Sequence, residues 1–239
     1  MIINAENMDF SALNDAIRSS GKSCTLKGCM GQRFIASGMG GVEIEIDGVP
    51  GNAMGAYLSG AKITVNGNAQ DAIGDTMNAG TILVRGSVGD AAGYAMRGGE
   101  IYIEGKAGYR TGIHMKEYGD KKPVIVIGET SGSFLGEYQA GGIIVVLGIG
   151  SEDRQPVGNF CGTGMHGGRI YLRTAHLPKD LPEQVVAHKA TEEDMQIAAP
   201  LIQNYAEKFG ADAESLLRDE YYVLRPNTQN PYKQLYVTN

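Results

Sequence analysis

The chain has no tryptophan, and aromatic residues make up only 7% of its 239 positions. It has three cysteines, an odd number without close spacing. That excludes a disulfide framework and fits a reducing interior. There is no excess of positive charge: the formal net charge is −6, which argues against a nucleic-acid partner, since phosphate binding wants a basic face. No run approaches the roughly 18–20 apolar residues of a membrane span. The first residues, MIINAENMDF, lack the basic-then-apolar order of a secretory signal. These absences together predict a cytoplasmic protein.

What the chain has in excess is glycine, and it is placed rather than scattered. Of 35 glycines, all but Gly21 and Gly210 lie between residues 28 and 168. Gly48, Gly67, Gly86 and Gly105 stand 19 residues apart, each opening a line such as GNAQDAIGDTMNAG or GSVGDAAGYAMRGG. A strand-like run follows each line: AKITVNG, TILVRG, EIYIEG, PVIVIG. A fixed period this short is the mark of a solenoid.

Aligning the strands on the glycine that follows them gives two apolar columns. One holds Cys24, Ile44, Ile63, Ile82, Ile101, Val124 and Ile144, and the other Leu26, Ile46, Val65, Val84, Ile103, Val126 and Val146. Ile170 and Leu172 extend both. The positions between are polar in the early rungs (Glu43, Glu45, Lys62, Thr64), as is Glu104 later. This is period-two alternation with β-branched residues inside. Like columns imply parallel strands about 4.8 Å apart, eight rungs spanning roughly 35 Å, and parallel crossovers are right-handed. The expected fold is an all-β solenoid, a right-handed single-stranded parallel β-helix of 7–8 rungs. Leu58, Met77, Met96 and Met165 form a further stripe, read as core packing.

The ends differ in character. Residues 1–23 read as a cap with a short helix, started by Asp9 or Ser11 and burying Phe10, Leu13 and Ile17. Residues 24–174 are the solenoid, with insertions at 116–122 and 150–160, expected on one binding side. Residues 175–239 are a linker, helices and an extended tail. Thr191 and Asp194 form a capping-box pattern ahead of a helical face of Met195, Ala198, Ala199, Ile202, Tyr205 and Phe209, with Pro200 as an expected kink. A second short helix is expected near residues 212–217.

Motifs with a chemical look read as structural. Gly162, Gly164 and Gly167 spell GxGxxG, but a strand follows where a dinucleotide site needs a helix. Cys24, Cys29 and Cys161 cannot meet on one metal cluster, because Cys161 lies about six rungs, or ~29 Å, from the others. His114 and His166 each flank a core methionine without a metal-like neighbour; His176 and His188 carry no pattern. No nucleophile elbow occurs, and Glu43 and Glu45 read as a solvated face.

The rungs GNAQDAIGDTMNAG, GDAAGYAMRGGEIYIEG, GYRTGIHMKEY and VGNFCGTGMHGGRIYLR resemble the GXGXG domain of glutamate synthase over roughly residues 20–174. In that family the domain is a scaffold. An amidotransferase unit hydrolyses glutamine, ammonia travels through a tunnel, and a unit carrying FMN and an iron–sulfur cluster makes glutamate from 2-oxoglutarate. The resemblance implies a stand-alone, non-catalytic scaffold subunit holding an amidotransferase subunit and an FMN/iron–sulfur subunit, with no cofactor of its own. It implies turn roles for Gly51, Gly55, Gly74, Gly89, Gly93, Gly108 and Gly112. His114, Lys116, Glu117 and Tyr118, with the 150–160 loop, Cys161 and His166, become candidate docking residues. Similar repeats occur in the GXGXG subunits of formylmethanofuran dehydrogenase and of N-methylglutamate synthase. A homo-oligomeric solenoid with its own ligand is a further alternative. A hexapeptide-repeat acyltransferase is opposed by the 19-residue rung, and a sugar-active β-helix by the lack of tryptophan.

Overall fold

The computed structural model describes residues 1–227. The chain opens with a short strand β1 (Ile2–Asn4) and helix α1 (Phe10–Ser19). Eight strands follow: β2 (Ser23–Met30), β3 (Glu43–Val49), β4 (Ser59–Val65), β5 (Ala79–Val84), β6 (Glu100–Ile103), β7 (Val124–Ile127), β8 (Ala140–Val146) and β9 (Gly167–Arg173). Strand β10 (Val185–Lys189), helices α2 (Glu192–Phe209) and α3 (Ala213–Arg218), and β11 (Tyr221–Pro226) complete it. Strands β1 to β9 pair in sequence order and in parallel, forming a β-solenoid. β11 then returns antiparallel on β9, and β10 pairs on β11.

The 19-residue period is the register itself. Ile44, Ile63, Ile82 and Ile101 stack as direct partners, as do Ile46, Val65, Val84 and Ile103. All of these are buried, and they line one continuous core. The methionine stripe is core as expected, running Met39, Leu58, Met77, Met96, Met115 and Met165. Gln139 interrupts it, fully buried, with its amide nitrogen donating to the carbonyls of Gly141 and Gly142 at 3.1 Å.

One strand departs from the expected columns. In β7 the inward residues are Ile125 and Ile127, which pair with Ile101 and Ile103; Val124 and Val126 face outward. The glycine that marks the end of this strand comes one residue early, so aligning on it slips the register by one and turns every side chain over. The cause lies far away in sequence. A Cβ at Gly128 would meet the Tyr205 hydroxyl and the Glu104 carbonyl oxygen well inside contact distance. The Tyr205 hydroxyl donates to that same carbonyl at 3.2 Å.

The outward side of the late rungs is a second core. Leu83, Tyr102, Val124, Val126, Val145, Leu147 and Tyr171 pack beneath Ala198, Ile202 and Tyr205 of α2 and Leu216 of α3. The helix starts at the expected capping box of Thr191 and Asp194 and runs on through Pro200. Asp194, itself buried, accepts from Thr191 N–H and hydroxyl (3.1 and 3.0 Å), from His188 Nε2 (3.1 Å) and from Arg225. Burial alone would raise its pKa; the Thr191 and His188 bonds and the Arg225 charge outweigh this and lower it. His188, unremarkable in the sequence, thereby ties β10 to α2.

At the other end α1 covers the first rung. Asp9 caps it, accepting from Ser11 N–H (2.8 Å) and Ala12 N–H (2.9 Å). Leu13 and Ile17 are buried, but Phe10 is exposed and meets Phe34 edge to face. Buried Asn14 docks the helix, donating to Phe34 O and accepting from Ala36 N–H. The expected extended tail is realised through Pro226 as a strand on the last rung; the expectation for 228–239 lies outside the described residues.

Candidate partner-docking surface

Each solenoid turn passes through one strained corner, and the corner repeats. Three residues at alternate positions take positive φ: 34/36/38, 53/55/57, 72/74/76, 91/93/95, 110/112/114, 134/136/138 and 160/162/164. The middle member points into the core and is glycine in all but the first turn, where it is Ala36. A Cβ at Gly74 would lie 2.6 Å from Ile101 Cδ1, and one at Gly112 would lie 2.6 Å from Ile144 Cδ1. Gly55 and Gly93 are built the same way. Gly51, Gly89 and Gly108 serve differently. Their φ is ordinary, but a Cβ at Gly51 would strike the Gly31 carbonyl, and Cβ atoms at Gly89 and Gly108 would strike the Asp71 and Asp90 carboxylates. Those carboxylates belong to a side-chain ladder. Asp71 accepts from Asp90 N–H at 2.9 Å, and Asp90 from Tyr109 N–H at 2.8 Å.

Of the outer two members of each triplet, Ala53 is buried, and their identity varies along the molecule: in the first two turns exposed Phe34 and Tyr57 stand there. In the middle turns they are small: Ala72 and Thr76, then Ala91 and Ala95. In the later turns they are bulky: Arg110 and His114, Phe134 and Tyr138, then Phe160. L-residues reach this region at a cost of about 1–2 kcal/mol each. The rung spacing stacks them. His114 lies flat on Tyr138 (5.1 Å between ring centres) and edge-on to Tyr94 (5.9 Å). Phe134 stacks on Phe160 at 5.2 Å, and the Arg110 guanidinium sits 4.8 Å over Phe134 while pairing with Glu137 at 3.1 Å. Tyr94, Tyr109, His114, Tyr138 and Phe160 are exposed.

The candidate docking residues divide. His114 and Lys116 lie on this corner and are exposed. Glu117 accepts the Gly142 N–H at 3.0 Å, tying its loop to the next rung. Tyr118 is 70% exposed at the tip of a small turn closed by paired bonds with Lys121. His166 is half-buried, with Nδ1 3.2 Å from Gly164 O. Cys161 is fully buried in the inward column of Met54, Ile73 and Leu135, and burial pushes its thiol up to about 12. It offers no surface to a partner. The two insertions do not share a side either. Residues 116–122 precede β7 and residues 150–160 follow β8, so in a parallel sheet they lie at opposite strand ends.

Gly162 and Gly164 are corner glycines leading into β9, so the GxGxxG pattern opens no helix. Cys24, Cys29 and Cys161 are all free and buried. Among the described residues no group of three or more His, Cys, Asp or Glu could hold a metal ion, and no helix is long and apolar enough to cross a membrane. The stacked corner was hidden in the sequence because its residues share a column only once the unequal insertions are removed.

Comparison with known proteins agrees with this geometry. Residues 5–228 match the family model described as GXGXG motif. An uncharacterised protein of Methanocaldococcus jannaschii is 42% identical over 251 residues, covering 99% of this chain and 96% of that protein. Among solved structures, a chain of the formyltransferase/hydrolase complex of Methylorubrum extorquens, determined with methylofuran, is similar at a TM-score of 0.60 and 21% identity. The likeness covers 90% of this chain and 87% of that one.

Proposed function

The chain belongs to the GXGXG motif family, and from that premise we propose that it is a non-catalytic scaffold subunit of a multi-subunit enzyme. The observation that carries the reading is that 90% of the chain takes the fold of one chain in such a complex. A solenoid suits the role. Every rung is hydrogen-bonded to its neighbours and its interior is filled with side chains, so it presents a long surface of fixed shape.

Two kinds of complex fit. The solved neighbour favours a complex of the formyltransferase/hydrolase type, to which the GXGXG subunit of formylmethanofuran dehydrogenase would be akin. The residues of the HMKEY loop and the GTGMHGGRIY rung favour glutamate synthase, with an amidotransferase subunit and an FMN/iron–sulfur subunit as partners. Purification of the tagged chain from its host, with mass spectrometry and an absorption spectrum of the eluate, separates them. A flavin spectrum with an amidotransferase and glutamine-dependent glutamate formation supports glutamate synthase. Companions active in formyl transfer, without flavin, support the other. A chain that elutes alone at low salt overturns the scaffold role.

A further inference from the structure

We propose that the chain forms a twofold dimer through this corner, two copies lying antiparallel along its whole length, from Phe34 to Phe160. Such a dimer does not depend on the scaffold role: it would hold two sets of companions or none.

The corner is where the molecule exposes its aromatic side chains. Among the described residues eight are exposed, and six of them, Phe34, Tyr57, Tyr94, Tyr109, Tyr138 and Phe160, stand along this one line. Of the other two, Phe10 lies against Phe34 and Tyr118 sits in the adjoining insertion. The line is continuous. Backbone bonds join successive turns, from Phe34 N–H on Asn52 O through to Phe134 N–H on Asn159 O, so the outer positions of the seven turns form two columns. Seven turns span about 29 Å, close to the breadth of a standard interface patch of about 800 Å². Clustered aromatic side chains are what distinguishes an interface from the rest of a surface.

What selects a second copy as the occupant is the order of residues along the line. Copies laid in the same direction would set each turn against itself, and the bulky late turns would hold the small middle ones apart. Reversed about a twofold axis through the turn of Ala91 and Ala95, the columns fit. Arg110 then faces Ala72, His114 faces Thr76, and Phe134 enters over buried Ala53. Tyr138 meets Tyr57 and Phe160 meets Phe34, ring against ring. At the axis Ala91, Ala95 and exposed Tyr94 meet their own counterparts. This is the self-complementarity that an isologous contact requires. The charges follow the same reversal. Asp71 and Asp75 lie on a corner turn without a cation and face the turn of Arg110 and His114. Arg33 faces the end at which Asp180 accepts the Phe160 N–H. Asp90 meets its own counterpart, one turn from the facing Arg110. Opposite signs so placed fix the register and direction of the contact.

The test uses the full chain, purified without companions and again within its native assembly. The native mass of the purified chain should be twice 25.4 kDa. A single-chain mass held up to about 100 µM, far above the micromolar limit of standard interfaces, overturns the dimer. The substitution Ala95→Cys places a thiol at the axis. A short bis-maleimide should join two copies through it, both in the purified chain and in the assembly. Lys62→Cys, on the exposed outer sheet, should stay unjoined, and the native cysteines are buried and stay silent. Ala95→Glu sets like charges face to face and should weaken the dimer at least about tenfold. Its circular dichroism should not change, since this column already carries Tyr57, His114 and Tyr138. If Ala95→Glu unfolds, the crosslink decides alone. A dimer indifferent to Ala95→Glu, or one joined through Lys62→Cys, overturns the corner as the self-contact. So does a crosslink from the Ala95→Cys variant to a companion chain, and each of these outcomes leaves the scaffold role standing.

Discussion

At the scale of single residues, glycine and alanine at neighbouring corner positions should respond to substitution with opposite signs. Gly93 combines φ of 69° with an inward Cβ site 2.5 Å from Ile125 Cδ1. Gly93→Ala should therefore destabilise by about 2–4 kcal/mol, from left-handed strain and overpacking together. Ala91, two residues earlier at φ 56° and half-exposed, should behave the other way. Ala91→Gly should stabilise by about 0.5–1 kcal/mol, the relief of strain exceeding the added freedom of the unfolded chain. Urea denaturation of both variants checks the pair; equal signs would contradict the corner geometry. Burial lifts the thiols of Cys29 and Cys161 to about 11 and about 12. No thiol should react with a small disulfide reagent at pH 8 in the native state, and all three should react in denaturant. Only the inward glycines of the corner were legible in the sequence. Alanine, arginine and phenylalanine give no local sign of positive φ, so the outer members stayed hidden.

At the scale of elements, the seat of α2 depends on one buried carboxylate. The folded pKa of Asp194 is lowered from 3.8. Its contribution is therefore fully present above 3.8 and is lost as pH falls from there through the folded value. Asp194→Asn should cost about 3 kcal/mol at pH 7, the size expected on breaking a buried ion pair. The difference from wild type should shrink below pH 3.8, as urea titrations at several pH values would show. A constant difference down to pH 2 would contradict the assignment. The capping box and the helix were readable from Thr191 and Asp194 because capping is local. The partners that bury Asp194, His188 and Arg225, come from separate strands and were not. The slip at β7 has the same origin: Gly128 is placed for Tyr205, which lies 77 residues further on, and no rule of local spacing encodes that contact. β1 was also missed, three residues being too few to show a period.

At the scale of the whole molecule, the 19-residue register makes the early solenoid modular. Removing residues 67–85 joins Asn66 to Gly86 and brings Ile63 against Ile101 and Leu58 against Met96, with Asn52 facing the Asp90 N–H. This deletion should fold with an unchanged circular dichroism band shape and a lower melting temperature, since each repeat contributes its own interfaces. Removing 19 residues from the turn after Gly105, whose corner lies 24 residues from the next, should instead misregister the late rungs and their α2 seat. The fold class was legible because its core is a repeated column. The stacked aromatic corner was not, because its residues share a column only when turns of unequal length are stacked.

The claim on which the rest depends is that this chain works as a stoichiometric part of a larger assembly. The most direct measurement is the native mass of the species that contains it in a gentle extract of its host. The 25.4 kDa chain should be found with different companion chains in fixed ratio. A mass of 25.4 kDa, or a whole multiple of it with no other chain, would contradict the scaffold role.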